Sequence, residues 1–256
     1  MLPHERQQKI LELVRAKGTV TISELCPMFD VTSMTVRRDL RHLAEKSLLE
    51  QTYGGATIIQ STSYEPPFPS RQIVNAMQKK AIAKRAAELV RDGDTVALDV
   101  GTTTLELARC LRTKESLLVL TASTQVALEL AGCRNIRVIL AGGEVRPGEL
   151  SVVGEVAVAT YERFYVDKAF LGAAAVSSEH GVSDFNLEDT VVKKAMIARA
   201  KQVILLADCS KFGKIAFARV CPLNALHMVV TDSGADRRFL SEMERSGVEV
   251  VLAEPG

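Results

Sequence analysis

The stretch VTSMTVRRDLRHL, residues 31–43, decides how the first part of this chain folds. If Thr32 or Ser33 caps a helix, a turn of about 100° per residue separates the following side chains into two faces. One face is apolar and consists of Val36, Leu40 and Leu43. The opposite face carries Met34, Arg37, Arg38 and Arg41. An ordinary amphipathic surface helix has such faces, and so does the second helix of a helix-turn-helix domain, which packs on a small core and enters the major groove.

Two more helices are predicted before this one. Apolar residues recur at helical spacing over residues 5–17, and Gly18 supplies a stop. Thr21 can cap a second helix, whose apolar residues follow at i, i+3 and i+7: Ile22, Leu25 and Phe29. Pro27 lies inside this segment and lacks a backbone N–H. We therefore expect the second helix to be irregular.

A strand pair is predicted after the third helix. Residues 48–53 and 56–59 have the composition of short strands, and Gly54 and Gly55 lie between them. A Gly-Gly pair alone is weak support, but three helices and a hairpin in this order within sixty residues are more specific. The sequence therefore predicts a winged helix-turn-helix domain over residues 1–59.

The same residues resemble the DeoR family of bacterial transcriptional regulators. Arg6, Ile10 and Val14 match the first helix of the family. The pattern TxxTVRRDL over residues 32–40 matches its second motif, and YGGA over residues 53–56 matches its wing. The resemblance implies that the third helix and the wing contact operator DNA, and the predicted DNA-binding residues are Ser33, Met34, Thr35, Arg37, Arg38, Arg41 and Tyr53.

Two residues of this region carry further predictions. Asp39 lies between the two faces of the third helix, so we expect it to hold an arginine in position and not to contact a base. Members of the family often carry an arginine in the wing strand before the glycine pair, whereas this chain has Glu50, Gln51 and Thr52. The arginines of the third helix should therefore supply much of the DNA contact, doubled by dimerisation.

Composition limits the class of protein. The 256 residues carry a net charge of +1, so any nucleic-acid partner must meet a local basic patch. The five cysteines form no CxxC pair and have no neighbouring histidines, which argues against a zinc site or a disulfide framework. The chain lacks a signal-peptide pattern and a long apolar run. We expect a cytoplasmic protein without a membrane partner, a metal or a cofactor.

The second part of the chain is predicted to be an α/β domain over residues 76–256. Residues 60–75 contain three prolines and no sustained period, and form the predicted linker. A helix over 77–90 follows. Seven short apolar runs have the length of buried strands: 95–99, 117–120, 136–141, 168–171, 203–207, 228–231 and 248–252. Helical patterns separate most of them, including 103–111, 125–130, 189–200 and 236–246, which predicts a mostly parallel sheet.

In such sheets ligands bind beyond the carboxyl ends of the strands. The first predicted strand ends in Asp99, followed by Gly101, Thr102 and Thr103 at the start of a helix. Backbone N–H groups and hydroxyls there suit one phosphate, whereas the carboxylate of Asp99 suits sugar hydroxyls. The alternative is that glycine, serine and threonine are simply what tight turns prefer. Neither GxGxxG nor P-loop spacing is present.

This part resembles the DeoR-type sensor domain, particularly in LDVGTT over 98–103, GVS over 181–183 and ADCSKFG over 207–213. The resemblance implies a fold similar to ribose-5-phosphate isomerase and the coenzyme A transferases, and binding of a phosphorylated sugar. The predicted effector-binding residues are Asp99, Gly101, Thr102, Thr103, Thr121, Ser123, Gly142, Gly143, Asn186, Glu188, Lys193 and Lys211. A solvated surface position is the alternative for each lysine. The run Ala173-Ala174-Ala175 departs from the more polar family pattern.

Three functions remain open from the sequence. The first is a repressor of a sugar or sugar-derivative operon, a dimer or tetramer released from its operator by a phosphorylated sugar. The second is a sugar-phosphate isomerase or transferase-like enzyme, for which Asp99, Glu144, Glu188 and Asp208 are possible bases. The third is an activator of the same architecture. We favour the repressor over an enzyme and predict no catalytic residues, because an enzyme has no use for the arginines opposite a buried helix face.

Overall fold

The computed structural model describes residues 2–46, 48–57 and 61–254. The chain divides into two compact units, Met1–Arg71 and Gln72–Gly256. The division falls inside the predicted linker of residues 60–75. Part of that linker is helical, because α4 (Phe68–Ile73) lies within it. Ser70 of this helix donates a hydrogen bond to the backbone carbonyl of Lys46 at 2.8 Å, so α4 is attached to the first unit.

The first unit is a winged helix-turn-helix domain, as predicted. Its remaining elements are α1 (Pro3–Lys17), β1 (Thr19–Thr21), α2 (Ile22–Phe29), α3 (Ser33–Glu45), β2 (Glu50–Thr52) and β3 (Gly55–Thr57). Gly18 ends α1 with a positive φ of 78°, and the hydroxyl of Thr21 caps α2. The helix α2 runs through Pro27, which corrects the expected irregularity. Because α2 has 8 residues, the proline removes one backbone hydrogen bond without interrupting a long helix.

The wing contains one more strand than the sequence analysis predicted. Three antiparallel strands lie in the order β1, β3, β2, and Tyr53 and Gly54 form the turn between β2 and β3. Gly55 therefore belongs to β3 and not to the turn. A Cβ atom on Gly55 would lie 1.9 Å from the carbonyl oxygen of Val20, so β1 can pair here only with a glycine. The predicted strand residues Ile58 and Ile59 lie outside the described residues.

The second unit is an α/β domain. Its helices are α5 (Ala76–Ala87), α6 (Thr102–Leu111), α7 (Thr124–Ala131), α8 (Glu155–Glu162), α9 (Leu187–Ala198) and α10 (Arg237–Arg245). Its strands are β4 (Thr95–Leu98), β5 (Leu117–Thr121), β6 (Ile136–Leu140), β7 (Glu144–Val145), β8 (Val152–Val153), β9 (Val166–Leu171), β10 (Ala175–Ser177), β11 (Gly181–Asp184), β12 (Ala200–Leu206), β13 (Ala218–Cys221), β14 (Met228–Asp232) and β15 (Glu249–Ala253). Short 3₁₀ helices cover Cys209–Lys211 and Leu223–Ala225.

The main sheet has seven strands in the order β15, β14, β12, β9, β4, β5, β6. Every neighbouring pair is parallel, and the seven strands are the seven predicted apolar runs. The chain builds outward from β4 through β5 to β6, then returns to β9 on the other side of β4 and continues to β15. The order thus reverses between β4 and β9, and such a switch point leaves a crevice beyond the strand ends.

Two smaller sheets were not predicted. One is antiparallel and contains β10, β11 and β13, and the other is the β7–β8 hairpin. The hairpin loop lies at the end of β5, because the amide of Thr124 donates to the carbonyl of Leu150 at 3.1 Å and Ser123 pairs with Ser151. In the described part of the chain, no helix is long and apolar enough to cross a membrane.

Candidate functional site

The helix α3 separates its side chains as the sequence predicts. Val36, Leu40 and Leu43 are buried in the core of the first unit. Arg37, Arg38 and Arg41 are exposed on the other side, and we call these three residues the arginine face. None of the three forms an ion pair with a residue that the structure describes. Three unpaired guanidinium groups on one helix face suit phosphate oxygens and guanine edges.

The other predicted DNA-binding residues surround the arginine face. Ser33 is exposed and Met34 is 80% exposed at the start of α3, whereas Thr35 is half-buried. The hydroxyl of Thr35 lies 3.1 Å from that of Thr32, which caps the helix. Tyr53 is 98% exposed at the tip of the wing. An aromatic ring this exposed gains nothing from packing within the unit, and this favours a contact outside it.

Asp39 holds an arginine, as predicted, but the arginine comes from α1. The Nε of Arg6 lies 2.6 Å from Oδ2 of Asp39, and the side chain of Gln7 donates to Oδ1 at 2.9 Å. Asp39 and Arg6 are both buried. The pair therefore fixes α3 on α1 from inside the unit, and thereby sets the direction in which the arginine face points.

In the second unit, Asp99 and Lys193 form a buried ion-pair cluster with Asp184. Lys193 Nζ lies 2.7 Å from Asp99 Oδ2 and 2.5 Å from Asp184 Oδ2, and it donates to the carbonyl of Gly172 at 3.0 Å. Lys193 is 2% exposed, so the surface alternative for this lysine is wrong. Its three protons have three acceptors, and its single positive charge offsets one of the two carboxylate charges that it contacts.

The ion-pair cluster perturbs both partners. Burial raises the pKa of Asp99 to about 6, although Lys193 opposes the shift. Burial alone would lower the pKa of Lys193, but Asp184 and Asp99 outweigh it and hold that pKa above its ordinary value. Oδ2 of Asp99 also accepts from the amide of Gly172 at 2.9 Å. Its Oδ1 has no hydrogen-bond partner among the described residues and can accept a hydroxyl.

The N-terminus of α6 lies directly after Asp99. Gly101 is its N-cap with a φ of 142°, and no side chain caps the helix. Thr102 and Thr103 are buried, while Thr104 donates its hydroxyl back to the carbonyl of Gly101 at 3.0 Å. A helix N-terminus without a side-chain cap leaves backbone N–H groups for an anion. The glycine-threonine loop therefore offers backbone donors at the place where the sequence predicts a phosphate cradle, and phosphate binding there stays a prediction.

Several other predicted effector residues have structural partners. The Thr121 hydroxyl donates to the carbonyl of Leu98 at 2.8 Å and accepts from the Ser123 amide at 3.0 Å. The Ser123 hydroxyl caps α7, and the Asn186 side chain caps α9 by accepting from Asp189 at 3.0 Å. These bonds account for the three polar side chains within the fold itself.

The remaining predicted residues lie farther out. Gly142 and Gly143 are exposed, and Gly143 permits a close approach, because a Cβ there would lie 2.4 Å from the carbonyl oxygen of Val153. Glu188 is exposed and helps line a groove of about 470 Å³ between α8 and α9, beside Glu155, Val158 and Val191. Lys211 is half-buried in the 3₁₀ helix after β12.

Three further residues belong to the candidate site or its surroundings and were not predicted from the sequence. Asp184 completes the ion-pair cluster, and Arg146 of the hairpin loop pairs with Asp189. Tyr161 of α8 is buried in the same core cluster as Ala122, and burial and the carboxylate of Asp99 raise the pKa of its phenol. Arg146 also donates to the hydroxyl of Ser151 at 3.3 Å. A polar residue ending a short strand was the available signal for Asp184. Tyr161 lies in an apolar helix pattern, so nothing in the sequence separates it from a core residue.

Each of the two units matches a known protein family. The model of the DeoR-like helix-turn-helix domain matches residues 6–62, and that of the DeoR C-terminal sensor domain matches residues 74–233. The uncharacterized HTH-type transcriptional regulator YulB of Bacillus subtilis is 40% identical over 98% of this chain and 96% of its own length. The glycerol-3-phosphate regulon repressor of Escherichia coli is 33% identical over 90% of each chain.

Among solved structures, ribose 5-phosphate isomerase A from Methanocaldococcus jannaschii matches with a TM-score of 0.40 and 20% identity, covering 52% of this chain and 53% of that one. Together the sensor-domain model and the full-length relatives cover the chain from the first helix to the last strands. The chain therefore belongs to the DeoR family of transcriptional regulators.

Proposed function

We propose that this protein represses a sugar or sugar-derivative operon and leaves its operator when a phosphorylated sugar binds the second unit. The observation that carries the proposal is the arginine face. Arg37, Arg38 and Arg41 are exposed and unpaired within the described residues, while the opposite face of α3 is fully buried. Three adjacent cations with no partner in the fold favour a polyanion as their partner, and α3 has the position of a recognition helix.

The effector is proposed to bind across the switch point of the sheet. Its phosphate would lie at the uncapped N-terminus of α6, on Gly101, Thr102 and Thr103. Its hydroxyl groups would reach Oδ1 of Asp99, which the ion-pair cluster holds in place through Oδ2. The relative named as the glycerol-3-phosphate regulon repressor supports a phosphorylated polyol or sugar as the class of effector.

The protein is proposed to act in the cytoplasm as a homo-oligomer, a dimer or a tetramer. Residues 1–60 carry eight lysine and arginine residues against seven aspartate and glutamate residues, so this part of the chain is nearly neutral and a single arginine face gives limited affinity. Two copies on a repeated operator add their contacts, which is how helix-turn-helix proteins reach specific binding. An activator would use the same two sites, because the sign of regulation depends on where the operator lies.

The proposal is tested by selecting an operator and then titrating it. Duplexes that the full chain binds are selected from a random library, and their affinity is measured by gel shift with and without phosphorylated sugars. We expect at least one phosphorylated sugar to weaken operator binding by about 5- to 150-fold, the range of ordinary coupling energies. No selectable duplex, or affinities that no sugar phosphate changes, would contradict the proposal.

Two variants assign the two activities to the two units. Arg38→Ala should weaken operator binding and leave effector binding unchanged, and Arg134→Ala, which removes the same charge from an exposed site in the second unit, is its control. Thr103→Asp should leave operator binding unchanged and abolish release, because a carboxylate in the cradle repels phosphate. Thr103→Ser, which keeps the hydroxyl, is the matched control. Normal release in Thr103→Asp would place the phosphate elsewhere.

The enzyme alternative has one observation in its favour, the raised pKa of the buried Asp99 carboxyl, which is a common property of catalytic bases. An experiment distinguishes the enzyme from the repressor: the full chain is incubated with any sugar phosphate that binds it, and the sugar is followed by NMR. We expect no turnover. Conversion of the sugar that disappears in Asp99→Asn would instead favour an isomerase.

A further inference from the structure

Tyr161 is a buried tyrosine whose hydroxyl proton has no acceptor. The side chain is 1% exposed, and no described residue forms a hydrogen bond with its Oη. Tyr161 lies near the C-terminal end of α8, and its ring packs in the main core of the second unit. A buried hydroxyl without a partner is unfavourable, and buried tyrosines in folded proteins usually have one.

The tyrosine lies near the carboxyl ends of two adjacent strands. Tyr161 belongs to the same core cluster as Ala122, just after β5, and burial together with the carboxylate of Asp99, just after β4, raises the pKa of the phenol. Leu98 and Thr121 are paired in these two strands, so Ala122 and Asp99 lie at the same edge of the sheet. The hydroxyl of Tyr161 therefore faces the edge at which α6 begins.

Packing alone does not account for the hydroxyl. A phenylalanine would fill the same core position and bury no polar group, so the fold itself would favour it. The one other buried side-chain oxygen without a partner among the described residues is Oγ1 of Thr231. It belongs to β14, which β12 and β9 separate from β4, so it lies away from this edge. Tyr161 is thus the unpaired buried hydroxyl at the candidate effector site.

We propose that the Tyr161 hydroxyl binds the effector directly, by donating a hydrogen bond to an oxygen on the carbon chain of the phosphorylated sugar. This inference rests on the proposed function and extends it to the groups that recognise the sugar. Tyr161 would supply a donor, and Oδ1 of Asp99 an acceptor, on the same side of the phosphate cradle. A donor beside an acceptor selects a ligand with a hydroxyl or carbonyl oxygen next to a hydroxyl, and inorganic phosphate in the cradle has no carbon chain that could carry such a pair to the two side chains.

The test removes only the hydroxyl. Tyr161→Phe is prepared in the full chain, and Tyr165→Phe is its matched control, because Tyr165 is 72% exposed on the segment after α8. Binding is measured by calorimetry with glycerol 3-phosphate, ribose 5-phosphate, fructose 6-phosphate and inorganic phosphate as probes, and the melting temperature of each variant is recorded. The probe that binds the unmodified chain most tightly is used for the comparison.

We expect Tyr161→Phe to weaken that sugar phosphate about tenfold, which is typical of one lost hydrogen bond, and to leave inorganic phosphate unchanged. Its melting temperature should be equal or higher, because an unpaired hydroxyl has been removed. Unchanged sugar-phosphate affinity, an equal loss in Tyr165→Phe, or an equal loss for inorganic phosphate would overturn the role of Tyr161 while the proposed function stands. If no probe binds the unmodified chain, the proposed function fails and this inference fails with it.

Discussion

At the scale of single residues, two buried ion pairs hold the elements that carry the two candidate binding sites. Asp39 joins α3 to α1 through Arg6, and Asp99 joins β4 to α9 through Lys193. Both carboxylates are buried, so the opposite charge of each partner is needed to offset the free energy lost on leaving water. In both cases the pair supports a neighbouring group, the arginine face in one unit and the α6 N-terminus in the other.

The pair of Arg6 and Asp39 predicts a specific pattern of stability. Asp39→Ala leaves the guanidinium of Arg6 buried without a counter-ion, and we expect it to lower the unfolding free energy of the first unit by about 3–5 kcal/mol. Replacing both residues together, Arg6→Met with Asp39→Leu, should cost far less, because no charge remains buried. Urea unfolding of the three proteins measures the difference, and a double variant as unstable as the single one would contradict this account.

The raised pKa of Asp99 predicts a pH dependence of effector binding. Above about pH 6 the carboxyl is ionised and can accept a ligand hydroxyl, and below that pH it takes up a proton and loses part of this capacity. We compare the dissociation constant of the effector for Asp99→Asn with that for the unmodified chain. The ratio of the first to the second should exceed one at pH 7.5 and fall toward one at pH 5. Because both proteins receive the same ligand, titration of its phosphate cancels in the ratio. A ratio independent of pH would contradict this role.

At the scale of elements, the apolar patterns were enough to predict three helices and a wing in the first unit and all seven strands of the main sheet. Parallel strands buried on both faces are continuous apolar runs, and the seven runs have that property. The strands β10, β11 and β13 were missed, because small and polar residues such as Ser183 interrupt them. In addition, β11 pairs with β13, which is distant in the sequence, and a local sequence pattern cannot predict such a pairing.

The two glycines of the wing have different roles: Gly54 lies in the turn, and Gly55 lies in β3 against the backbone of β1. Gly55→Ala places a methyl group against the backbone of Val20, and we expect it to disrupt the pairing of β1 with β3 and lower the stability by more than about 2 kcal/mol. Gly54→Ala meets no atom within 4 Å and should be nearly neutral. Thermal unfolding of the two variants tests this. Equal effects of the two substitutions would mean that the strand β1 does not approach Gly55 this closely.

The parts of the candidate site that could be predicted are those that lie close together in the sequence. Asp99, Gly101, Thr102 and Thr103 are consecutive in the chain and follow an apolar run, so their position at a strand end is visible in the sequence. The contacts of Lys193 with Asp99 and Asp184 depend on tertiary packing, as does the position of Tyr161 in the same core cluster as Ala122. For the same reason, Thr121 and Asn186 had the right residue types for ligand contacts, yet the fold gives their side chains structural hydrogen bonds.

At the scale of the whole molecule, the segment that enters the second unit is attached to the carboxyl edge of its sheet. Asn75 has a positive φ of 53°, and its side chain donates to Asp208 at 2.8 Å and to Ser210 at 3.1 Å. Asp208 and Ser210 belong to the loop after β12, which also carries Lys211. A change in this loop on effector binding would therefore reach the start of α5 through one side chain.

This attachment predicts a variant that uncouples the two sites. Asn75→Gly keeps the positive φ but removes the amide, so we expect effector and operator affinities to stay within about threefold of normal while release by the effector is reduced. Asn135→Gly, at an exposed position, is the control. Both dissociation constants and their coupling are measured by fluorescence anisotropy. Full release in Asn75→Gly would show that the coupling uses another route.

One chain is proposed to bind operator DNA and a phosphorylated sugar so that each ligand lowers the affinity for the other. Thermodynamic linkage requires this effect to be reciprocal. Calorimetric titration of the effector into the free chain and into the operator-bound chain measures it directly. We predict that the effector binds the operator complex more weakly, by the same factor of about 5–150 by which it weakens operator binding. Equal effector affinity for the free chain and the operator complex would contradict the account.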